Sequence, residues 1–143
     1  MSVYLDSAYV AKCYVEESDS VRVRKLARRE EEIHSSAWCL AEVSCTLHRH
    51  VREGSLTIEQ ASKLAVVFRA DVDNGVWFLL PVSEALLRKV GVAMQSLPAD
   101  VYVRVGDAVH LVSARDGGFT EIWTNDRHLL NAAPHFGLRG RTA

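Results

Sequence analysis

One feature constrains this chain more than any other. Short, continuous apolar runs alternate with longer stretches of helical periodicity. The clearest run is Val76-Trp77-Phe78-Leu79-Leu80, stopped by Pro81. It is too short for a helix and lacks the polar alternation of a half-solvated strand, so it predicts a fully buried one. Val3-Tyr4-Leu5 reads the same way, Glu121-Ile122-Trp123-Thr124 is another short strand, and Ile33-His34-Ser35 is a fourth, weaker candidate. The helical stretches between them are Ala8 to Glu16, Ser20 to Glu32, Trp38 to Glu53, Thr57 to Asp73, Ser83 to Leu97, Val105 to Asp116 and Asp126 to His135. Their punctuation is consistent: Gly54 ends one, Thr57 and Gln60 form a capping box, Asn74-Gly75 is a turn, and Gly117-Gly118 closes the apolar helix. Continuous apolar strands separated by helices imply an α/β fold, a central and mostly parallel sheet with helices on both faces. In such sheets, sites lie at the carboxyl ends of the strands.

The chain has 143 residues, with no repeat, low-complexity run or flexible linker, so residues 1–143 are expected to form one domain. A formal net charge of −1 gives no support to a dedicated nucleic-acid coat, though an enzyme with a local site stays open. No signal peptide and no membrane span are expected. The three cysteines, Cys13, Cys39 and Cys45, have no paired spacing and are expected as buried small hydrophobes in a reducing, cytoplasmic setting.

Four carboxylates stand out. Asp6 follows the first strand, and Asp126 follows the Glu121–Thr124 strand after Asn125. Both fall at the sheet's carboxyl edge, where Asp also serves simply as a helix N-cap. Glu42 has Trp38, Cys39, Cys45 and Thr46 as helical neighbours, an apolar surrounding that calls for a metal or a basic partner. Asp107 opens a helix apolar almost all round; helix-dipole complementarity or pairing with Arg104 are its ordinary explanations. Two carboxylates about 4 Å apart repel by roughly 4 kcal/mol at an effective dielectric near 20. If the four converge, they need a cation, and an all-oxygen set suits Mg²⁺ or Mn²⁺ rather than zinc. Such ions hydrolyse phosphodiesters. Local spacing does not establish the convergence.

Four blocks of sequence resemble a known family. VYLDSAYVAKCYVEE, SSAWCLAEVSCTLHRHVREGSLT, VRVGDAVHLVSARDGG and IWTNDRHLLNAAPHFGL follow in order the motifs of PIN domains of the VapC toxin class. The resemblance implies a PIN-like fold and a metal-dependent endoribonuclease, the toxin of a type II toxin–antitoxin module. It implies that Asp6, Glu42, Asp107 and Asp126 share one Mg²⁺ or Mn²⁺ pocket, with Asp6 and Asp107 as principal ligands. Glu42 and Asp126 would complete the site directly or through water. Ser7 and Thr124 are expected to hydrogen-bond the carboxylates from behind. A homodimer, an RNA substrate and a cognate VapB-like antitoxin are the implied partners. Val105-Gly106 before Asp107 departs modestly from the pattern, and the glycine is read as easing the turn.

Other residues carry plainer expectations. The basic segment Arg22, Arg24, Lys25, Arg28, Arg29 is interleaved with acids and reads as a solvated face. His48-Arg49-His50 is expected at the surface, His110 as a hydrogen-bonded core histidine ahead of a catalytic base, and Trp38, Trp77 and Trp123 as core or interface aromatics. A haloacid-dehalogenase phosphatase needs a carboxylate where Ala8 stands, and a Rossmann or P-loop binder needs a glycine-rich turn absent from Asp6-Ser7-Ala8-Tyr9. The remaining alternative is a PIN-like module with little nuclease activity, acting by dimerisation and by regulator or nucleic-acid binding.

Overall fold

The computed structural model describes residues 1–143. In chain order its elements are β1 (Ser2–Tyr4), α1 (Ser7–Lys12), α2 (Ser20–Arg29), β2 (Glu32–Ser36), α3 (Cys39–Arg52), α4 (Ile58–Asp73) and β3 (Trp77–Leu80). There follow α5 (Glu84–Ser96), α6 (Val105–Asp116), β4 (Glu121–Trp123), α7 (Arg127–Ala132), a 3₁₀ turn (Ala133–Phe136) and β5 (Arg139–Arg141). Strands β1, β2 and β3 pair in parallel in that order, and β4 pairs in parallel with β5. A parallel bridge between Leu5 and Trp123, with the Asp6 N–H donating to the Trp123 carbonyl at 3.1 Å, joins the two pieces. The strand order is therefore 3-2-1-4-5. Chain direction along the sheet reverses at the β1–β4 junction, and the crevice of an open α/β sheet opens at such a point.

Alternation along the strands feeds two cores. Val3, Leu5 and Trp123 pack with Tyr9, Val10, Val43, Leu47 and Phe68 from α1, α3 and α4. Tyr4 and Ile122 point the other way, into Val109, Leu111, Val112, Leu129 and Phe136. Helix α6 is buried from Asp107 through Ala114, as its apolar circumference requires. The Thr57–Gln60 capping box forms on both sides.

Several expectations need correction. β3 is not fully buried: it is the sheet's outer strand, with Phe78 45% exposed, because an apolar run does not distinguish an edge from a centre. α2 stops at Arg29, where the backbone of Glu30 turns extended to enter β2. α1 ends at Lys12, short of Glu16, and the last helix gives way at Ala133 to a 3₁₀ turn around Pro134. Cys45 is exposed and Cys13 half-buried; only Cys39 is in the core. His50 is buried, its ring bonded to Ser55 Oγ at 2.7 Å and Glu17 Oε1 at 3.1 Å. β5, the sequence Arg-Gly-Arg, carries no apolar signal and was not expected. No helix is long and apolar enough to cross a membrane.

Candidate functional site

Asp6 and Asp126 both cap helices. Asp6 Oδ1 accepts the Tyr9 N–H at 2.9 Å, and Asp126 Oδ1 accepts the N–H groups of His128 and Leu129 at 2.8 and 3.1 Å. The ordinary role is therefore real for both. Each keeps its other oxygen for a second partner. The Thr124 hydroxyl donates to Asp6 Oδ2 at 2.5 Å and accepts the Asp126 N–H at 2.9 Å, so one threonine spans both acids.

On the other side of Asp126, Arg104 makes a two-pronged bridge. One guanidinium N–H group donates to Asp126 Oδ2 at 2.8 Å, while Nε donates to Asp107 Oδ2 at 3.1 Å. The pairing of Arg104 with Asp107, one of the ordinary explanations for that charge, is thus present and extends to a second carboxylate. Glu42 finds a histidine rather than a lysine or arginine: His110 Nε2 lies 3.2 Å from Oε1. The same nitrogen is 2.7 Å from Ser7 Oγ, and Nδ1 is 2.8 Å from the Tyr4 hydroxyl. Burial pushes the Tyr4 phenol well up, so it stays protonated and can donate to Nδ1. Ser7 thus braces the ring of His110, and its hydroxyl also stabilises the Glu42 carboxylate.

Gly106 closes the circuit. A Cβ there would stand 3.1 Å from Trp38 Nε1 and 3.2 Å from both Glu42 carboxylate oxygens. Its φ is not positive, so the glycine is needed for space against Glu42, not for a permissive turn. Hydrogen bonds and ion pairs, together with the chain links Asp107–Gly106 and Ser7–Asp6 and the close approach of Gly106 to Glu42, trace a closed ring: Asp6, Thr124, Asp126, Arg104, Asp107, Gly106, Glu42, His110, Ser7. The four acids, spread over the whole sequence, are thereby held at one edge of the sheet, at the β1–β4 junction. No three acidic, histidine or cysteine side chains lie close enough together to hold a metal ion as they stand.

The charges are unevenly compensated. Burial pushes the Asp6 carboxyl up from 3.8 to about 6; nearby His110, the Thr124 hydroxyl and the Tyr9 amide pull against it, while Glu42 adds repulsion. Burial also pushes Glu42 up, but the His110 bond and charge, the Ser7 hydroxyl and Arg104 outweigh it and hold the carboxyl below its usual range. Behind the ring, Lys12 is almost completely buried between Glu17 (2.8 Å) and Asp19 (2.5 Å), and Asn125 donates to Asp19 at 2.7 Å. This brace fixes the loop that carries Asp126. Sequence reasoning passed over it, although a lysine among the buried Tyr9, Val10 and Ala11 was a visible signal. Beside the ring, the Tyr102 and His128 rings meet with centroids 4.5 Å apart, a pair that nothing in the sequence singled out. A groove of about 440 Å³ runs from Glu42 and Gly106 past Trp38 and Cys45 to Arg49.

No curated protein sequence matches the chain. Among solved structures it is similar to VapC20 of Mycobacterium tuberculosis, described as a sarcin-ricin-loop-cleaving toxin, with TM-score 0.73 and 16% identity over 91% of this chain and 94% of that one. It is also similar to VapBC2 of Rickettsia felis, solved with a promoter DNA fragment, with TM-score 0.70 and 14% identity over 100% and 99% of the two chains. A third is FitAB bound to a DNA fragment, with TM-score 0.69 and 13% identity over 99% and 94%. At these identities the likeness speaks for the fold. The PIN domain family model matches residues 3–134, and the chain belongs to the PIN domain family.

Proposed function

We propose that this chain is a divalent-metal-dependent endoribonuclease and the toxin of a toxin–antitoxin pair, working in the cytoplasm. The observation that carries the proposal is the ring of contacts holding Asp6, Glu42, Asp107 and Asp126 at the β1–β4 junction. Their chemistry fits a hard cation. The donors are all carboxylate oxygen, a cationic guanidinium already stands between two of them, and glycine keeps the space beside Glu42 open. Asp6 and Asp107 would be the principal ligands of Mg²⁺ or Mn²⁺, with Glu42 and Asp126 completing the set directly or through water. The ion supplies an activated water and charge stabilisation at the attacked phosphate and leaving oxygen.

The chain's own residues do the positioning. Thr124 fixes the orientation of Asp6 relative to Asp126. His110 holds Glu42 in place, and Glu42, on the exposed side of the cluster, can orient the water that attacks. The Lys12–Asp19–Asn125 brace keeps the Asp126 loop rigid. A cognate antitoxin is proposed as partner because VapBC2 and FitAB are toxin–antitoxin structures of the same fold. Exposed apolar side chains on α4 and β3, among them Val66, Val67 and Phe78, suit burial in a homodimer or against that partner.

The test is incubation of the purified chain with labelled total RNA in Mg²⁺ or Mn²⁺, then with a chelator, beside a folded Asp107→Asn variant. Discrete, metal-dependent cleavage lost in the variant is expected. Equal signal from wild type and variant on every RNA class overturns the nuclease proposal and leaves a binding module.

A further inference from the structure

Arg104 stands out within the acidic ring. It is the only lysine or arginine side chain that contacts any of the four acids, and it touches two of them, Asp107 and Asp126. A cation bound by those carboxylates must compete with it. Yet Arg104 is not locked in: its side chain is 55% exposed, so it can swing outward without unpacking the core. The surface it would swing toward carries Tyr102, two residues upstream and 55% exposed, whose ring rests against His128 at the start of α7. A planar guanidinium and, two residues away in the chain, a half-exposed aromatic ring have the chemistry to hold the phosphate and the base of a nucleotide. Guanidinium binds phosphate oxygens with paired hydrogen bonds. Aromatic rings stack on unpaired bases.

Resting on the nuclease reading above, we propose that Arg104 and Tyr102 form a nucleotide seat beside the acidic ring. An RNA phosphate draws the guanidinium away from Asp107 and Asp126 while a base stacks on Tyr102. RNA then frees the two carboxylates for the divalent cation, and the cation in turn frees Arg104 for RNA. Binding of the two is mutually reinforcing, as linkage requires. Without RNA, Arg104 is the resident counter-charge and cation affinity is low.

The experiment uses the full chain and two probes. Mn²⁺ binding is followed by calorimetry, and a hydrolysis-resistant phosphorothioate oligoribonucleotide is followed by fluorescence anisotropy. Circular dichroism verifies that each variant is folded. Arg104→Gln is expected to bind Mn²⁺ about 3- to 10-fold more tightly than wild type without RNA, the range for losing two partly exposed ion pairs. Arg104→Lys, which keeps the charge but not the two-pronged geometry, should fall between them. The oligonucleotide should tighten Mn²⁺ binding to wild type and leave Arg104→Gln unchanged. Tyr102→Ala should bind Mn²⁺ alone like wild type but the oligonucleotide about 5- to 100-fold more weakly. Equal Mn²⁺ affinity in wild type and Arg104→Gln, with Mn²⁺ bound by both, overturns the seat while leaving the nuclease proposal intact. Oligonucleotide binding indifferent to both substitutions does the same. No Mn²⁺ binding by either protein at millimolar concentration overturns the nuclease proposal and the seat with it.

Discussion

Replacing Asp6 with asparagine should make the metal-free protein more stable, although it removes the carboxylate oxygen that accepts the Thr124 hydroxyl. Asp6 is 4% exposed, and burial, the dominant cause, lifts its carboxyl from 3.8 to about 6. The folded state therefore holds the proton more tightly than the unfolded state does. Stability from this group is greatest below pH 3.8 and is lost as pH rises through about 6. Two pKa units correspond to about 3 kcal/mol carried as a cost at neutral pH. At pH 4.5 the same relation leaves about 1 kcal/mol. Asparagine caps helices as well as aspartate does and can still accept the Tyr9 N–H. The Thr124 hydroxyl loses its acceptor, which removes about 0.5 to 1.5 kcal/mol. The net expectation is a gain of about 2 kcal/mol at pH 7, or roughly 6 °C in Tm for a chain of this size. Thermal and urea denaturation in the presence of a chelator, at pH 7 and pH 4.5, measure it. A variant that is less stable at pH 7, or a gain that does not shrink at the lower pH, refutes the reasoning. Millimolar Mn²⁺ should raise the Tm of wild type and leave the variant behind, since binding to the folded state alone stabilises it.

Other expectations follow from single contacts. Gly106→Ala places a methyl against Trp38 and the Glu42 carboxylate; a loss of about 1 to 3 kcal/mol is expected by denaturation, with RNA cleavage falling as Glu42 is displaced. Thr124→Val removes the donor to Asp6 and the acceptor of the Asp126 N–H, and should cost about 1 to 3 kcal/mol in a urea titration. His110→Ala strips the partner from Tyr4, Ser7 and Glu42 at a buried position, and a drop of at least about 2 kcal/mol should appear in the same assay. Asn125→Ala unties the Asp126 loop from Asp19; cleavage should fall while Tm changes by no more than about 3 °C, a split that simultaneous melting and RNA assays resolve.

The parts of this architecture legible in sequence are those with a local physical signature. Asp6 and Asp126 could be placed at the sheet edge because each follows an apolar run, and the buried course of α6 follows from apolar residues on every side of it. Glu42 was conspicuous because a carboxylate among tryptophan and cysteine needs a partner. Its partner was not legible, since His110 lies 68 positions away and only the fold brings them together. Edge and centre strands share the same apolar run, so Phe78 was placed in the interior. β5 exists through its pairing with Glu121–Trp123 and has no hydrophobic signature of its own. Gly106 illustrates a subtler gap: the sequence suggests a turn, whereas the side chain that excludes a Cβ comes from α3.

The hydrogen bond from Thr124 to Asp6 spans 118 positions, and it has a consequence for synthesis. The first acid leaves the ribosome long before the threonine that orients it and the aspartate that lies beyond. At about 5 to 20 residues per second, Asp6 waits roughly 6 to 24 s for its partner. Strands β1, β2 and β3 can pair in that interval, but β4 cannot. A chain stopped before Thr124 therefore lacks the ring, and under the proposed function it cannot yet cut the RNA of the ribosome making it.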